Sequence, residues 1–188
     1  LNAHDLPTTP VSDGSPTAAE VLCLACGFCC DGTLHTNTIL LPAEVEATAA
    51  LGMTIEHRAG RPVFNQPCAM FRDGHCTIYA RRPQTCRHYE CALLKRLLAG
   101  EIALLQALRV VRIAQEQLAV WRSRVPAARS FMCWLKELEA SAASSGEDAS
   151  LAQAVLADAT LSDHAAALLI YLTKHFGANE DANESNSA

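Results

Sequence analysis

Four cysteines fall within eight residues in the run Cys23-Leu24-Ala25-Cys26-Gly27-Phe28-Cys29-Cys30, and Cys68, Cys76, Cys86 and Cys91 follow. A ninth, Cys133, stands apart between Met132 and Trp134 in an apolar helical pattern, where a small buried hydrophobe is expected. Packing does not account for the other eight, because Ala or Val fills the same space without a reactive sulfur. Their chemistry constrains the chain, and the options are metal ligation, an iron–sulfur cluster or disulfides.

Composition weakens the disulfide option. A chain of 188 residues, 50% hydrophobic, is the size of one domain with a small appendage and can bury a core without crosslinks. Leu1 to Glu20 holds three prolines and no apolar run of signal-peptide type. No uninterrupted apolar stretch approaches the roughly 18 residues of a membrane span. The longest, Ala165 to Leu172, fits a buried helix. The expectation is a soluble, cytoplasmic protein with no membrane partner, in a compartment that keeps thiols reduced and available to metal.

Charge is unevenly spread. Between Arg58 and Arg124 twelve Lys/Arg face four Asp/Glu, a surplus of +8, which leaves −13 for the rest of a chain whose net charge is −5. Cations near metal-bound thiolates offset their negative charge, and a basic segment also favours an acidic protein partner or substrate. Nucleic acid is a poorer fit, since the segment has few aromatics and no reader motif.

The fold class expected is mainly α: an irregular cysteine-rich metal-binding N-terminal module with short strands, packed on a helical C-terminal half. Residues 1–20 read as a flexible leader, 21–100 as the cysteine module, 101–176 as the helical region and 177–188 as a disordered tail. Within the module, 21–34 form a cysteine knuckle with Gly27 and Gly32 at its turns. Thr36 to Leu41 suits a short strand, and Pro42 opens a helix to Leu51 with Glu44 and Glu46 in its first turn. Residues 53–67 read as irregular, with a short strand at Val63-Phe64. Asp73-Gly74 marks a turn, and a short helix from Ile78 ends before Pro83. Helices follow over Ala92–Ala99 and Glu101–Arg124, the latter with Gln115 interrupting its apolar row, and Val125-Pro126 breaks it. Another runs from Phe131, then a polar linker spans Ser141 to Ser150. Leu151–Ala159 and Leu161–Phe176 form a final pair.

The first cysteine set is C-x2-C-x2-C-C and the second, from Cys68 to Cys91, is C-x7-C-x9-C-x4-C. A two-residue gap lets successive thiolates turn toward one ion, and a C-x2-C-x2-C triple with one distant cysteine also suits a four-iron cluster. Side chains of the adjacent Cys29 and Cys30 diverge, so the two are not expected to share an ion easily. Eight thiols divide into two four-thiolate sites, or serve one cluster with spare ligands. His35, His75 and His88 lie near enough in sequence to substitute, although each on its own is better read as surface or supporting.

Cys23-Leu-Ala-Cys26-Gly27-Phe-Cys29-Cys30, then Cys68, then Gly74-His-Cys76-Thr-Ile78-Tyr79-Ala-Arg-Arg82-Pro83-Gln-Thr-Cys86-Arg87-His-Tyr89-Glu-Cys91, resembles the CxxCxxCC cysteine-cluster family of zinc- or iron-chelating proteins. Leu41-Pro-Ala-Glu44-Val45 is similar to that family's step from strand to helix. The resemblance covers residues 21–91 and implies a metal-bound core with Cys23, Cys26, Cys29, Cys30, Cys68, Cys76, Cys86 and Cys91 as ligands of zinc or iron, including a [4Fe–4S] cluster. Tyr79 and Tyr89 are expected to shield the site, Arg82 and Arg87 to donate to sulfur or carbonyls, and Pro83 to fix the turn before Cys86.

Relatives of the family include flagellin lysine N-methylase, so an iron–sulfur-dependent protein-lysine methyltransferase is the first alternative. A zinc-ribbon-like adaptor for protein or nucleic acid is the second. The C-x3-C-x2-C triple of radical enzymes is absent, because Thr33 stands where its third cysteine would.

Overall fold

The computed structural model describes residues 15–125, 130–144 and 150–177. Most of the expected leader, Pro126, the centre of the linker and the tail from 178 onward lie outside the described residues. Within them the chain forms eight α-helices and five short strands, and the mainly α class holds.

The first helix, α1 (Ala18–Cys26), occupies a stretch expected to be leader and irregular knuckle. Its start is a reciprocal cap: the Glu20 N–H donates to Thr17 Oγ1 at 3.2 Å, and Glu20 Oε2 accepts the Thr17 N–H at 2.8 Å. Its stop is Gly27 at φ 70°, whose N–H donates to the Cys23 carbonyl. A Cβ there would lie 2.7 Å from the Phe71 ring, so this glycine also permits a close approach.

Three strands follow the knuckle, β1 (Asn37–Ile39), β2 (Glu56–Arg58) and β3 (Arg61–Asn65), in the antiparallel order β1-β3-β2 with Thr38 opposite Phe64 and Arg58 opposite Arg61. The region expected to be irregular is thus largely a hairpin, turned at Ala59-Gly60 with φ of 49° and 76°. Between β1 and β2, a 3-10 turn over Pro42–Glu44 runs into α2 (Val45–Ala50), in the place read as one helix. The expected Asp73-Gly74 turn joins a second hairpin, β4 (Phe71–Arg72) and β5 (His75–Cys76), with Phe71 opposite Cys76. A 3-10 turn at Tyr79–Arg81 stands where a short helix was expected, and α3 (Gln84–His88) follows Pro83, where none was.

The remaining helices are α4 (Ala92–Leu98), α5 (Leu104–Arg124), α6 (Phe131–Ala142), α7 (Ser150–Ala157) and α8 (Ala159–Phe176). Ser141, expected in the linker, is buried within α6, where its Oγ accepts the Ala152 N–H at 3.1 Å. No single described helix is long and apolar enough to cross a membrane.

Two apolar cores result. The larger joins α1, α4, α5, α6 and α8 through Leu22, Leu93, Leu118, Trp121, Phe131, Leu168, Leu172 and Phe176. The smaller gathers Leu40, Met53, Phe64, Cys68 and Ile78 under the strands. Phe28 belongs to the larger and meets Phe176 edge to face at 5.3 Å between centroids, so the end of α8 braces the knuckle.

Candidate metal centre

Cys23 and Cys26 stand three residues apart on α1, a spacing that places them on one helix face. The chain then turns at Gly27, whose carbonyl accepts the N–H groups of Cys30 and Asp31 at 2.8 and 3.0 Å. The turn carries Cys29 and Cys30 past the end of the helix. Helix α5 holds it from behind: Gln115 Nε2 donates to the Ala25 carbonyl at 2.9 Å, and Arg122 pairs with Asp31 at 2.9 Å. Gln115, which broke the apolar row in sequence, therefore satisfies a carbonyl at the free end of α1. On the other side the Met132 N–H donates to the Gly32 carbonyl at 3.3 Å, bringing the start of α6 close. A Cβ on Gly32 would lie 2.6 Å from that of Ser130.

The second set arrives on separate elements. The Cys68 N–H donates to the Cys30 carbonyl at 2.7 Å and ties the two segments directly. Cys76 lies on β5, Cys86 on α3, and Cys91 stands at the N-cap of α4. Glu44 Oε1 accepts the Gln84 N–H and so links the turn before α2 to α3.

All eight cysteines line one cavity of about 770 Å³. None is crosslinked. As the side chains stand, no three His, Cys, Asp or Glu groups among the described residues close into a coordination shell. The thiols share a cavity wall, and a cysteine needs only a turn about its Cα–Cβ bond to swing its sulfur along that wall. Cys133 does not line the cavity; it is buried, with its sulfur 4.0 Å from the Gln66 carbonyl.

Electrostatics marks the cavity as a poor place for protons to leave unaided. Burial pushes the Cys23, Cys26, Cys29, Cys68 and Cys91 thiols up, reinforced at the first three by repulsion among neighbouring sulfurs. Burial, with Cys68 and Cys76 nearby, pushes Cys86 up to about 12. The neighbouring Cys30 and Cys76 divide a proton unequally, so that Cys76 ionises more readily and Cys30 holds its proton. Arg82 and His75 add to the pull on Cys76. A cation inside the cavity reverses the upward shifts, because it makes the thiolate the favoured form.

The accessory residues sort themselves by contact. Arg82 Nη1 donates to the Tyr79 carbonyl at 2.7 Å, its Nε to the Cys86 carbonyl at 3.4 Å, and its guanidinium lies 3.7 Å over the Tyr79 ring. Arg87 Nε donates to the Arg82 carbonyl at 2.8 Å. Both arginines thus reach carbonyls, one of the two roles expected for them. Tyr79 and Tyr89 line the cavity, and Tyr89 meets His35 edge to face at 4.8 Å. Among the three histidines weighed as substitutes, His35 lines the cavity and its buried Nε2 has no hydrogen-bond partner, while His75 and His88 are exposed and do not line it. Gln66 was missed in sequence. It is 3% exposed on the cavity wall, its Nε2 donates to Thr38 Oγ1 at 3.1 Å, and its Oε1 is unpartnered. A lone Gln before Pro67 carries no signal of such a position.

Eight uncrosslinked thiols around a shared cavity in a mainly helical chain define a cysteine-cluster protein. The chain belongs to the CxxCxxCC family, whose model, described as a putative zinc- or iron-chelating domain, matches residues 22–117. The match takes in all eight cysteines and extends through most of α5. Searches of the curated proteins and of the solved structures find no match to the chain.

Proposed function

We propose that this chain is a metal-chelating protein in which Cys23, Cys26, Cys29, Cys30, Cys68, Cys76, Cys86 and Cys91 take up zinc or iron as thiolates. The observation that carries the proposal is the convergence of all eight, unpaired by disulfides, on one cavity. The donor set fits the metals: soft thiolates favour zinc and iron–sulfur centres over magnesium or calcium. Bound zinc would lock the two cysteine segments together, whereas an iron–sulfur cluster would add electron transfer or group transfer.

This chain's own residues supply the rest. The helix face of α1 and the turn at Gly27 orient the first sulfurs, and the start of α4 positions Cys91. Tyr79, Tyr89 and Phe28 limit water at the wall. Arg82 holds a cation beside Cys76 and Cys86, where metal-bound thiolates leave negative charge.

Anaerobic purification followed by elemental analysis and an absorbance spectrum tests the proposal. Zinc in a colourless sample, or iron and sulfide with a broad visible band, is the expected result. A reduced, folded chain carrying neither, and acquiring neither on reconstitution, would sink it.

A further inference from the structure

We infer that the eight thiols make two separate four-thiolate sites, Cys23, Cys26, Cys29 and Cys91 in one and Cys30, Cys68, Cys76 and Cys86 in the other, divided at the Cys29–Cys30 peptide. The inference rests on the chelation proposed above and deepens it by assigning each sulfur.

Packing makes the first division. Cys23, Cys26, Cys29 and Cys91 pack against the larger, helical core. Cys68 belongs to the smaller core under the strands, and Cys30, Cys76 and Cys86 pack against it. No cysteine of either set packs on the other core. Each set is therefore anchored to a different body of side chains, and a sulfur crossing from one to the other would leave its own apolar support.

Backbone connections make the same division. The first set comes from α1, its C-terminal turn and the cap of α4, two helices that pack together. The second is bound by the Cys68 N–H to the Cys30 carbonyl at 2.7 Å and the Met70 N–H to Cys68 Sγ at 3.4 Å. Cys29 and Cys30 are adjacent yet face different cores, as the divergence of neighbouring side chains requires.

Two four-thiolate ions each leave a charge near −2. Keeping them on separate supports, with Arg82 near Cys23 of the first as well as Cys76 and Cys86 of the second, and Lys95 beside Cys91, limits their repulsion.

The test loads the reduced full chain with Zn2+ and combines native mass spectrometry with N-ethylmaleimide footprinting of each cysteine. Two zinc ions and eight protected thiols are expected for the wild type. Cys26→Ser should keep one zinc and expose Cys23, Cys29 and Cys91 to alkylation at least about tenfold faster, leaving the second set protected. Cys68→Ser should do the converse.

One zinc per wild-type chain, or either variant exposing all seven remaining ligand thiols, would overturn the partition. Should a variant lose its helical circular dichroism, wild-type protein given one equivalent of Zn2+ replaces it. Protection must then arrive in blocks of the stated membership, and a block mixing the two sets overturns the partition while leaving chelation intact. A wild-type chain that binds neither Zn2+ nor iron removes chelation and partition together.

Discussion

The two walls of the cysteine cavity are built by different means. On one side, sulfurs ride on helices seated on a core of large side chains: Trp121, Phe131, Leu168, Leu172 and Phe176 are all buried. On the other, they sit on one strand of a short hairpin, a five-residue helix and loops, over a core with few members besides Leu40, Met53, Phe64 and Ile78. Helical hydrogen bonds close within a segment, so the first wall needs little help to hold its shape. Two-residue strands cannot do this, and their order depends on what they pack against. The lesson is that one side of the site comes with the fold, while the other gains most from whatever binds in the cavity.

The largest effects should come from breaking the two cores separately. Phe176→Ala and Phe64→Ala each remove a buried aromatic side chain, and each should cost about 3–5 kcal/mol at its own core. With metal withheld, Phe176→Ala is expected to lower the unfolding midpoint of the helical signal. Phe64→Ala is expected to speed alkylation of Cys30, Cys68, Cys76 and Cys86 while the helical signal persists. If Phe64→Ala melts the helices as well, the two walls form one cooperative unit and the contrast fails.

Next is the seam between them. Gly27→Ala imposes both a φ of 70° on a residue with a Cβ and a 2.7 Å approach to Phe71, for about 2–3 kcal/mol in denaturant unfolding. Gly52→Ala is the control: φ is 83° but nothing lies within 4 Å of the added carbon, so only about 1 kcal/mol should be lost. Equal losses at the two positions would show that the contact with Phe71 contributes nothing.

A pH series sharpens the comparison further. Burial lowers the pKa of His35 on the cavity wall below its ordinary 6.5. The unfolded chain then takes up that proton first as pH falls. Stability from neutral His35 is therefore complete above about pH 6.5 and declines below it, by at most about 1.4 kcal/mol per pH unit, until the folded value is passed. Metal-free His35→Gln should flatten this component relative to wild type in denaturant melts. An unchanged slope would show that the ring is solvated in the folded chain.

The smallest effects belong to ion pairs. Arg122→Ala removes the pair with the mostly buried Asp31 behind the knuckle and should cost about 1 kcal/mol. Arg112→Ala breaks the exposed pair with Glu116 on the same helix, worth about 0.3 kcal/mol. Similar values in thermal melts would mean that Arg122 does not clamp the turn.

Helices with a full apolar stripe were legible in the sequence. Leu161, Ala165, Leu168, Leu172 and Phe176 are the buried face of α8, and Val111, Leu118 and Trp121 belong to that of α5. The helix carrying Cys23 and Cys26 was obscured by its own cysteines, whose spacing is that of an irregular knuckle, and its Thr17-to-Glu20 capping signal lies at the end of a stretch rich in turn formers. The hairpin at 56–65 was obscured for a different reason: Ala59 adopts a positive φ that alanine seldom takes, and Pro62 argues locally against a strand.

By itself the sequence determined the mainly helical class, the eight thiols set apart from Cys133, and the family to which their spacing belongs. These depend on residue identity and short-range periodicity, which are written along the chain. Tertiary structure alone decided which core each sulfur rests on, why Gln115 interrupts an apolar face, and that Gln66 and His35 reach the cavity wall. Such contacts join residues far apart in the chain, 90 positions in the case of Gln115 and Ala25. They arise from how hairpins and helices close on one another at Gly27 and Gly32, and no local pattern encodes that closure.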